Sequence, residues 1–269
     1  MVADWASTLI AVRGRWHSVG SLENTPMPVN LPPFWLRAAT AVTQALLPSR
    51  CLLCGESAKR VDLCEACCRA LIGNAPACAQ CALPLPSAEA ACGACLRDPP
   101  PFSQTFAVWR YAAPIAQLLP RFKFHHDLAA GRVLAELALP ILRQWPGWQG
   151  VDRMIPVPLH SSRLAQRGYN QALEWAKPLA RALPLRLDHA GLRRIRATAA
   201  QTELDAVARR RNLRGAFEAS PLHGEVVVLV DDVVTTGATV REATRSLLRA
   251  GAREVRVLAI ARAPEPTQR

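Results

Sequence analysis

The stretch Glu225 to Thr239, EVVVLVDDVVTTGAT, decides how the chain is read. Five consecutive apolar residues, Val226 to Val230, are rich in β-branched side chains, the pattern of a strand buried on both faces of a parallel sheet. Asp231 and Asp232 follow at the point where such a strand leaves the core, and open α/β sheets bind their ligands at these carboxyl ends. The next residues, Thr235, Thr236, Gly237, Ala238 and Thr239, are small and hydroxylated around a glycine, so the backbone can turn tightly and aim successive N–H groups at an anion. A helix is expected from there, with Thr239 and Glu242 in a capping-box pattern and Gly251 as its C′ residue. Its N-terminal dipole faces the same anion.

A hydrophobic strand, two acids and then T-T-G-x-T resembles the phosphoribosyl-pyrophosphate (PRPP) signature of type I phosphoribosyltransferases. The resemblance implies that the amides and hydroxyls of Thr235 to Thr239 hold a 5-phosphate, and that Asp231 and Asp232 hold the ribose 2- and 3-hydroxyls. A buried strand with solvated turn acids is the plain structural alternative, but turn chemistry alone does not ask for two acids and three threonines at these offsets.

At 269 residues the chain can build one well-cored α/β domain and something smaller. No apolar run approaches the ~18 residues of a membrane span. The opening residues have a short apolar core and no basic segment before it, a poor match to a secretory signal, which leads to the expectation of a cytoplasmic protein. The formal net charge is +12. Eight zinc-bound thiolates with two Zn²⁺ lower that to about +8. Of the 33 basic residues only Lys59, Lys123 and Lys177 are lysines. Arginine's planar fork suits phosphates, and an anionic partner is consistent with the balance.

Residues 1–33 show no sustained period and read as a disordered tail, with Met27 as a second candidate start. Residues 34–50 carry a short helix, with Phe34, Ala38, Ala41, Val42, Ala45 and Leu46 on one side. All nine cysteines fall between 51 and 95, eight of them in C-x-x-C pairs: Cys51/Cys54, Cys64/Cys67, Cys78/Cys81 and Cys92/Cys95. Four such knuckles supply two tetrahedral Cys₄ zinc sites. Consecutive pairing closes the shortest loops, while an interleaved cross-brace satisfies the same ligand count. Cys68 is left as an apolar filler. Residues 51–101 are thus expected as a double zinc ribbon, joined by Asp98-Pro99-Pro100-Pro101 to a domain spanning 102–263 and a short tail, 264–269.

In that domain FAVWRY reads as a strand, Ile115 to Leu119 as the start of a helix interrupted by Pro120, and Leu128 to Leu142 as a core helix. Arg121, Lys123, His125 and His126 form a basic run, read as solvated or phosphate-facing. Arg153 to His160 reads as a strand entering a proline-fixed loop. In RLAQRGYNQ, Arg163 and Arg167 are spaced for bidentate contacts to a pyrophosphate, the alternative being two exposed helix arginines. Arg186, Arg193, Arg194, Arg196, Arg209, Arg210, Arg211 and Arg214 flank Thr198 to Thr202, where phosphoribosyltransferases carry a mobile catalytic hood; a surface helix over Glu203 to Arg211 is the alternative. Glu254 to Ala261 reads as another buried strand.

The knuckles, PVPLH with RLAQRGYNQA, the segment from Gln201 to Phe217 and VVVLVDDVVTTGAT together resemble the ComF family. This resemblance implies a double zinc ribbon ahead of a type I phosphoribosyltransferase-like parallel sheet with flanking helices, and an association with DNA uptake and natural competence. It further implies PRPP or a ribose phosphate as ligand, Mg²⁺ with it, and a ribose-holding Asp231 and Asp232 with Arg163 and Arg167 facing the pyrophosphate as the catalytic set. The other class of function open to the same fold is a non-enzymatic module that senses a nucleotide and contacts single-stranded DNA or a competence-machinery protein.

Overall fold

The computed structural model describes residues 49–59, 61–197 and 213–264. The expected tail and helix within residues 1–48, the run Thr198 to Thr202, the alternative helix with Arg209, Arg210 and Arg211, and residues 265–269 lie outside these. The chain divides into two compact units between Arg69 and Ala70, inside the segment expected as one double ribbon. The first unit contains a short helix, α1 (Glu65–Arg69). The second contains α2 (Gly93–Arg97), β1 (Gln104–Arg110), α3 (Ile115–Phe124), α4 (Leu128–Leu142), β2 (Arg153–Pro156), α5 (Ser161–Arg167), α6 (Gln171–Ala182), β3 (Leu192–Arg194), β4 (Phe217–Ala219), β5 (Val226–Val234), α7 (Ala238–Arg249) and β6 (Glu254–Arg262).

The main sheet has the order β1-β6-β5-β2, with every pair parallel. Val226 to Val230 are all buried, as the apolar run requires. Alternation divides them: Val227 and Leu229 share a cluster with Val240, Ala243 and Leu247 of α7, which leaves Val226, Val228 and Val230 for the face covered by α6. The strand runs further than its apolar part. Asp231 pairs with Ala259, Val233 with Ala261 and Val234 with Arg262, so both acids lie inside β5 rather than after it. The cause is β6, which is long enough to supply backbone partners four residues past Val230.

Two further expectations are corrected. Helix α3 passes through Pro120 because the Ala116 carbonyl, which loses its partner there, lies on the half-exposed side of the helix. The capping box at Thr239 and Glu242 does not form. Helix α7 starts two residues earlier with Gly237 as N-cap, at φ 74° and without a side-chain cap. Glu242 is instead 6% exposed and accepts the Gly215 N–H at 2.8 Å.

The free edge of β1 is covered by residues 72–79. The Asn74 N–H donates to Val108 O at 3.1 Å, Arg110 N–H to Ile72 O at 3.0 Å and Thr105 N–H to Ala79 O at 3.1 Å. An unpaired edge is thereby removed. At the far side of β6, Arg262 is 4% exposed and donates to Cys81 O at 3.0 Å, Val234 O at 3.3 Å and the Ala263 carbonyl. One guanidinium therefore ties the third cysteine knuckle to the last residue of β5.

Gly251 ends α7 at φ +104°, and a Cβ there would sit 2.1 Å from the Leu222 carbonyl oxygen. That carbonyl belongs to backbone held by the Leu222 N–H to Ala250 O bond of 2.7 Å, so it cannot step aside cheaply. Gly251→Ala should cost roughly 2–4 kcal/mol and lower Tm by about 5–15 °C in thermal unfolding of the zinc-loaded protein. An unchanged Tm would show that the α7–β6 turn is not strained by a side chain.

Candidate functional site

Two metal centres are built by the cysteines. Cys51, Cys54, Cys64 and Cys67 form one group and Cys78, Cys81, Cys92 and Cys95 the other, the sulfurs of each lying within 4.8 Å of one another. The pairing is therefore consecutive. No disulfide is present among them. A tetrahedron of sulfurs about Zn²⁺ has edges of about 3.8 Å. The separations of Cys54 and Cys64, 3.6 Å, of Cys54 and Cys67, 3.8 Å, and of Cys81 and Cys92, 3.7 Å, match that edge. Backbone N–H groups point at the sulfurs, Cys92 N to Cys78 Sγ at 3.1 Å and Cys67 N to Cys64 Sγ at 3.5 Å. Burial works against a Cys51 thiolate, but the Cys64, Cys54 and Leu53 amides prevail and bring it down to about 6. Burial and the adjacent sulfurs push Cys67 and Cys95 up. Crowded sulfurs that cannot all ionise alone are a site that a dication completes. The sites fit structural zinc.

The second site lies at the carboxyl end of β5. Alternation along the strand sends its two carboxylates to different neighbours. Asp232 meets Lys123, Nζ to Oδ2 at 3.0 Å, and lies in the field of Arg167. Asp231 lies in the fields of Lys123 and Arg194. Burial first, and then the Asp232 charge, push Asp231 up to about 7 against the Asp232 amide, which donates to Asp231 Oδ1 at 2.9 Å. Beyond them the chain turns through Thr235, Thr236 and Gly237 into α7, with Ala238 N–H donating to Thr236 Oγ1 at 3.4 Å. Thr235 is exposed, and Thr236, Gly237 and Thr239 are half-buried.

Arg163 and Arg167 both lie on α5, half-buried. The residues after them explain the placement. Gly168 closes the helix at φ 75°, Tyr169 donates its hydroxyl to the Phe122 carbonyl, and Asn170 caps α6 through Ala172 N at 3.0 Å while gripping Val157 O at 3.0 Å. The motif thus fixes the arginine helix to the end of α3 and to the loop after β2, which runs beside β5 through the Val157 N–H to Val230 O bond of 2.8 Å. Arg167 also lies over the Phe124 ring, 5.0 Å from its centroid. Burial lowers the Arg167 and Arg194 guanidinium pKa values, and for each the field of Arg163 adds to the effect.

The sequence alone assigns Lys123 and Arg194 no role of their own. Lys123 was visible only as part of a basic run, and Arg194 as one of eight arginines. The β3–β4 ribbon that carries Arg194 is antiparallel, pairing Arg194 with Phe217. Its Arg193 is exposed and meets Glu218 at 2.7 Å.

Two outcomes follow for these sites. Purified protein should hold two zinc ions per chain by elemental analysis; Cys68→Ala should keep both and Cys64→Ala should lose at least one, whereas metal-free protein with oxidised thiols would rule the sites out. Asp231 has a raised folded pKa, so the native state binds more protons than the unfolded chain between about pH 4 and 7, and stability falls as pH rises through that window. Asp231→Asn should therefore be more stable than wild type at about pH 8, by on the order of 2–4 kcal/mol, with the gap shrinking to about half near pH 5.5. Denaturant titrations at the two pH values decide it, and a variant less stable at the higher pH would refute it.

Comparison with known proteins agrees with these features. Residues 170–269 match the phosphoribosyl transferase domain family and residues 42–96 the double zinc ribbon domain family. The chain is 38% identical over 222 residues to the DNA utilization protein YhgH of Salmonella typhimurium, covering 80% of this chain and 98% of the relative. It is 33% identical over 223 residues to Competence protein F of Haemophilus influenzae, covering 80% and 97%. Competence protein ComFC of Streptococcus pneumoniae is 26% identical over 157 residues, covering 58% and 67%. With its two Cys₄ ribbons and a phosphoribosyltransferase domain, the chain belongs to the ComF family, whose relatives are named for DNA utilization and competence.

Proposed function

We propose that the chain binds PRPP or a related ribose 5-phosphate at the end of β5, in a cytoplasmic role connected with DNA utilization. The observation that carries this reading is the continuity of diacid and loop: Gly237, a left-handed glycine at the N-terminus of the twelve-residue α7, follows Asp232 by five residues. The loop amides and the hydroxyls of Thr235, Thr236 and Thr239 take the 5-phosphate, aided by the positive end of the helix. The ribose hydroxyls donate to Asp231 and Asp232. Arg163 and Arg167 take the pyrophosphate and supply most of its counter-charge, with Mg²⁺ accompanying that group on its outer oxygens.

Transfer to an acceptor would proceed by loss of pyrophosphate as positive charge grows at C1 of the ribose. The two carboxylates stabilise that charge and the arginines the leaving group, so placement and electrostatics supply the catalysis. A second reading keeps the pocket as a sensor and assigns the anion-binding work outside it to DNA. It is favoured by Arg193, Arg196 and Arg214, exposed on and beside the β3–β4 ribbon.

Gly237 has room for a Cβ, whose nearest neighbour would be Val240 Cγ2 at 3.9 Å, so the constraint there is its φ of +74° rather than space. A β-branched residue cannot hold that angle without strain. Gly237→Val should therefore lose both PRPP and inorganic phosphate while keeping its zinc. Asp231→Asn and Asp232→Asn should each weaken PRPP by ~1.5–3 kcal/mol, roughly 10- to 150-fold, with phosphate still competing for the loop. Calorimetric titration in Mg²⁺ buffer reads all three. Wild type that binds neither PRPP nor ribose 5-phosphate at millimolar concentration ends this reading, and pyrophosphate release on adding candidate bases separates transfer from sensing.

A further inference from the structure

Resting on the ribose-phosphate reading, we propose that Lys123 is a built-in cation for the diacid, so that this chain holds a phosphorylated ribose without a divalent ion on Asp231 and Asp232. The ammonium stands 3.0 Å from Asp232 Oδ2, with the two side chains 20% and 17% exposed. A Mg²⁺ ion would need carboxylate oxygens at about 2.0–2.1 Å in an octahedral shell. On this carboxylate it would have to share the position with a positive charge already in contact, and the two would repel.

Lys123 is held where it is. It occupies the last turn of α3, between Phe122, whose carbonyl takes the Tyr169 hydroxyl, and Phe124, whose ring lies under Arg167. Tyr169 packs on Phe122 at 5.7 Å and on His126 at 6.1 Å. Two residues before Lys123, Arg121 is tied to Asp127 at 2.8 Å, and Asp127 caps α4 through Ala130 N. The helix end is clamped from both sides, so the ammonium is delivered by the fold rather than by a free side chain.

The surroundings make the same point. Lys123, Arg167 and Arg194 act on the two carboxylates, and Arg163 adds its field at Arg167 and Arg194. Positive charge is in excess, which suits an anionic ligand and disfavours a further cation. Among the described residues, the groups of three or more clustered potential metal ligands are the two sets of four cysteines, and the diacid gathers no third ligand. With substrate present, Lys123 keeps its bond to Asp232 and turns its remaining donors to ribose or pyrophosphate oxygens, a role open to an ammonium with three protons.

The test uses zinc-loaded full-length protein in buffer freed of divalent ions over a chelating resin. Mn²⁺ binding is read by electron paramagnetic resonance without PRPP, and PRPP affinity by calorimetry with and without Mg²⁺. Wild type should take up no Mn²⁺ at the diacid, while Lys123→Met should gain a Mn²⁺ site that Asp232→Asn abolishes. Mg²⁺ should change wild-type PRPP affinity by less than about threefold, whereas Lys123→Met should lose about tenfold or more without Mg²⁺ and recover most of it when the ion is added. Lys123→Arg should behave as wild type. A wild-type Mn²⁺ site removed by Asp232→Asn, or a gain of about tenfold in wild-type PRPP affinity on adding Mg²⁺, overturns the proposal. Should Lys123→Met fail to fold, those two wild-type measurements decide alone. Absence of PRPP binding under either condition defeats the reading of the pocket, and the Mn²⁺ result still judges the role of Lys123.

Discussion

Burial of Val226 to Val230 on both faces constrains everything else in the larger unit. A strand with no polar side can be satisfied only inside a sheet, with helices on each side and a parallel neighbour at each edge. Here those neighbours are β2 and β6 and the covering elements are α6 and α7. Once β5 is central, its carboxyl end must open between the loop after β2 and the turn into α7. The side chains that arrive there do so because the apolar run ends there. Asp231 and Asp232 are the first positions at which the strand is free to be polar.

Putting two carboxylates at that exit has an electrostatic cost, and the fold offsets it from several distant elements. Lys123 comes from α3, Arg167 from α5 and Arg194 from β3. The offset is unequal. Asp232 receives a direct ion pair, while Asp231 receives fields at longer range and is driven up to about 7 by burial and by Asp232 itself. A buried carboxyl raised in this way beside an ion-paired neighbour is a common feature of binding and catalytic sites, though structural ion-pair networks produce it too.

The sequence made this architecture legible wherever a single element carried its own pattern. Val226 to Val230 announced a buried strand by composition, the eight paired cysteines announced metal by spacing, and Leu128 to Leu142 announced a core helix by period. It was silent where the answer lay in a partner far along the chain. The strand continues through Asp231 and Asp232 because Ala259 to Arg262 supply the ladder, and nothing local in DDVV says so. Thr239 and Glu242 have the right spacing for a capping box, but Gly215 arrives from β4's approach and takes the carboxylate. Arg163 and Arg167 could be placed on one helical side by their spacing of four. That Arg167 comes within the field of Asp232 depends on Tyr169 reaching the carbonyl of Phe122, a contact that no local period encodes. Lys123 was hidden for the same reason.

The third and fourth knuckles follow from the sheet's geometry as well as from metal chemistry. Strand β1 is an outer strand, and its outward groups need partners if the sheet is not to invite another chain. Residues 72–79 provide them, and the same segment leads directly into Cys78 and Cys81. A chain this poor in regular structure cannot hold an extended conformation by its own packing; zinc can hold it, because the ligand bonds fix the turn at Cys78 to Cys81 whatever the rest of the ribbon does. Arg262 then carries that rigidity inward, since its guanidinium bonds the Cys81 carbonyl on one side and the Val234 carbonyl on the other. Val234 is the last residue of β5, immediately before Thr235. The segment that covers one edge of the sheet, leading into a Cys₄ site, is thus one buried arginine away from the loop on which the functional reading depends.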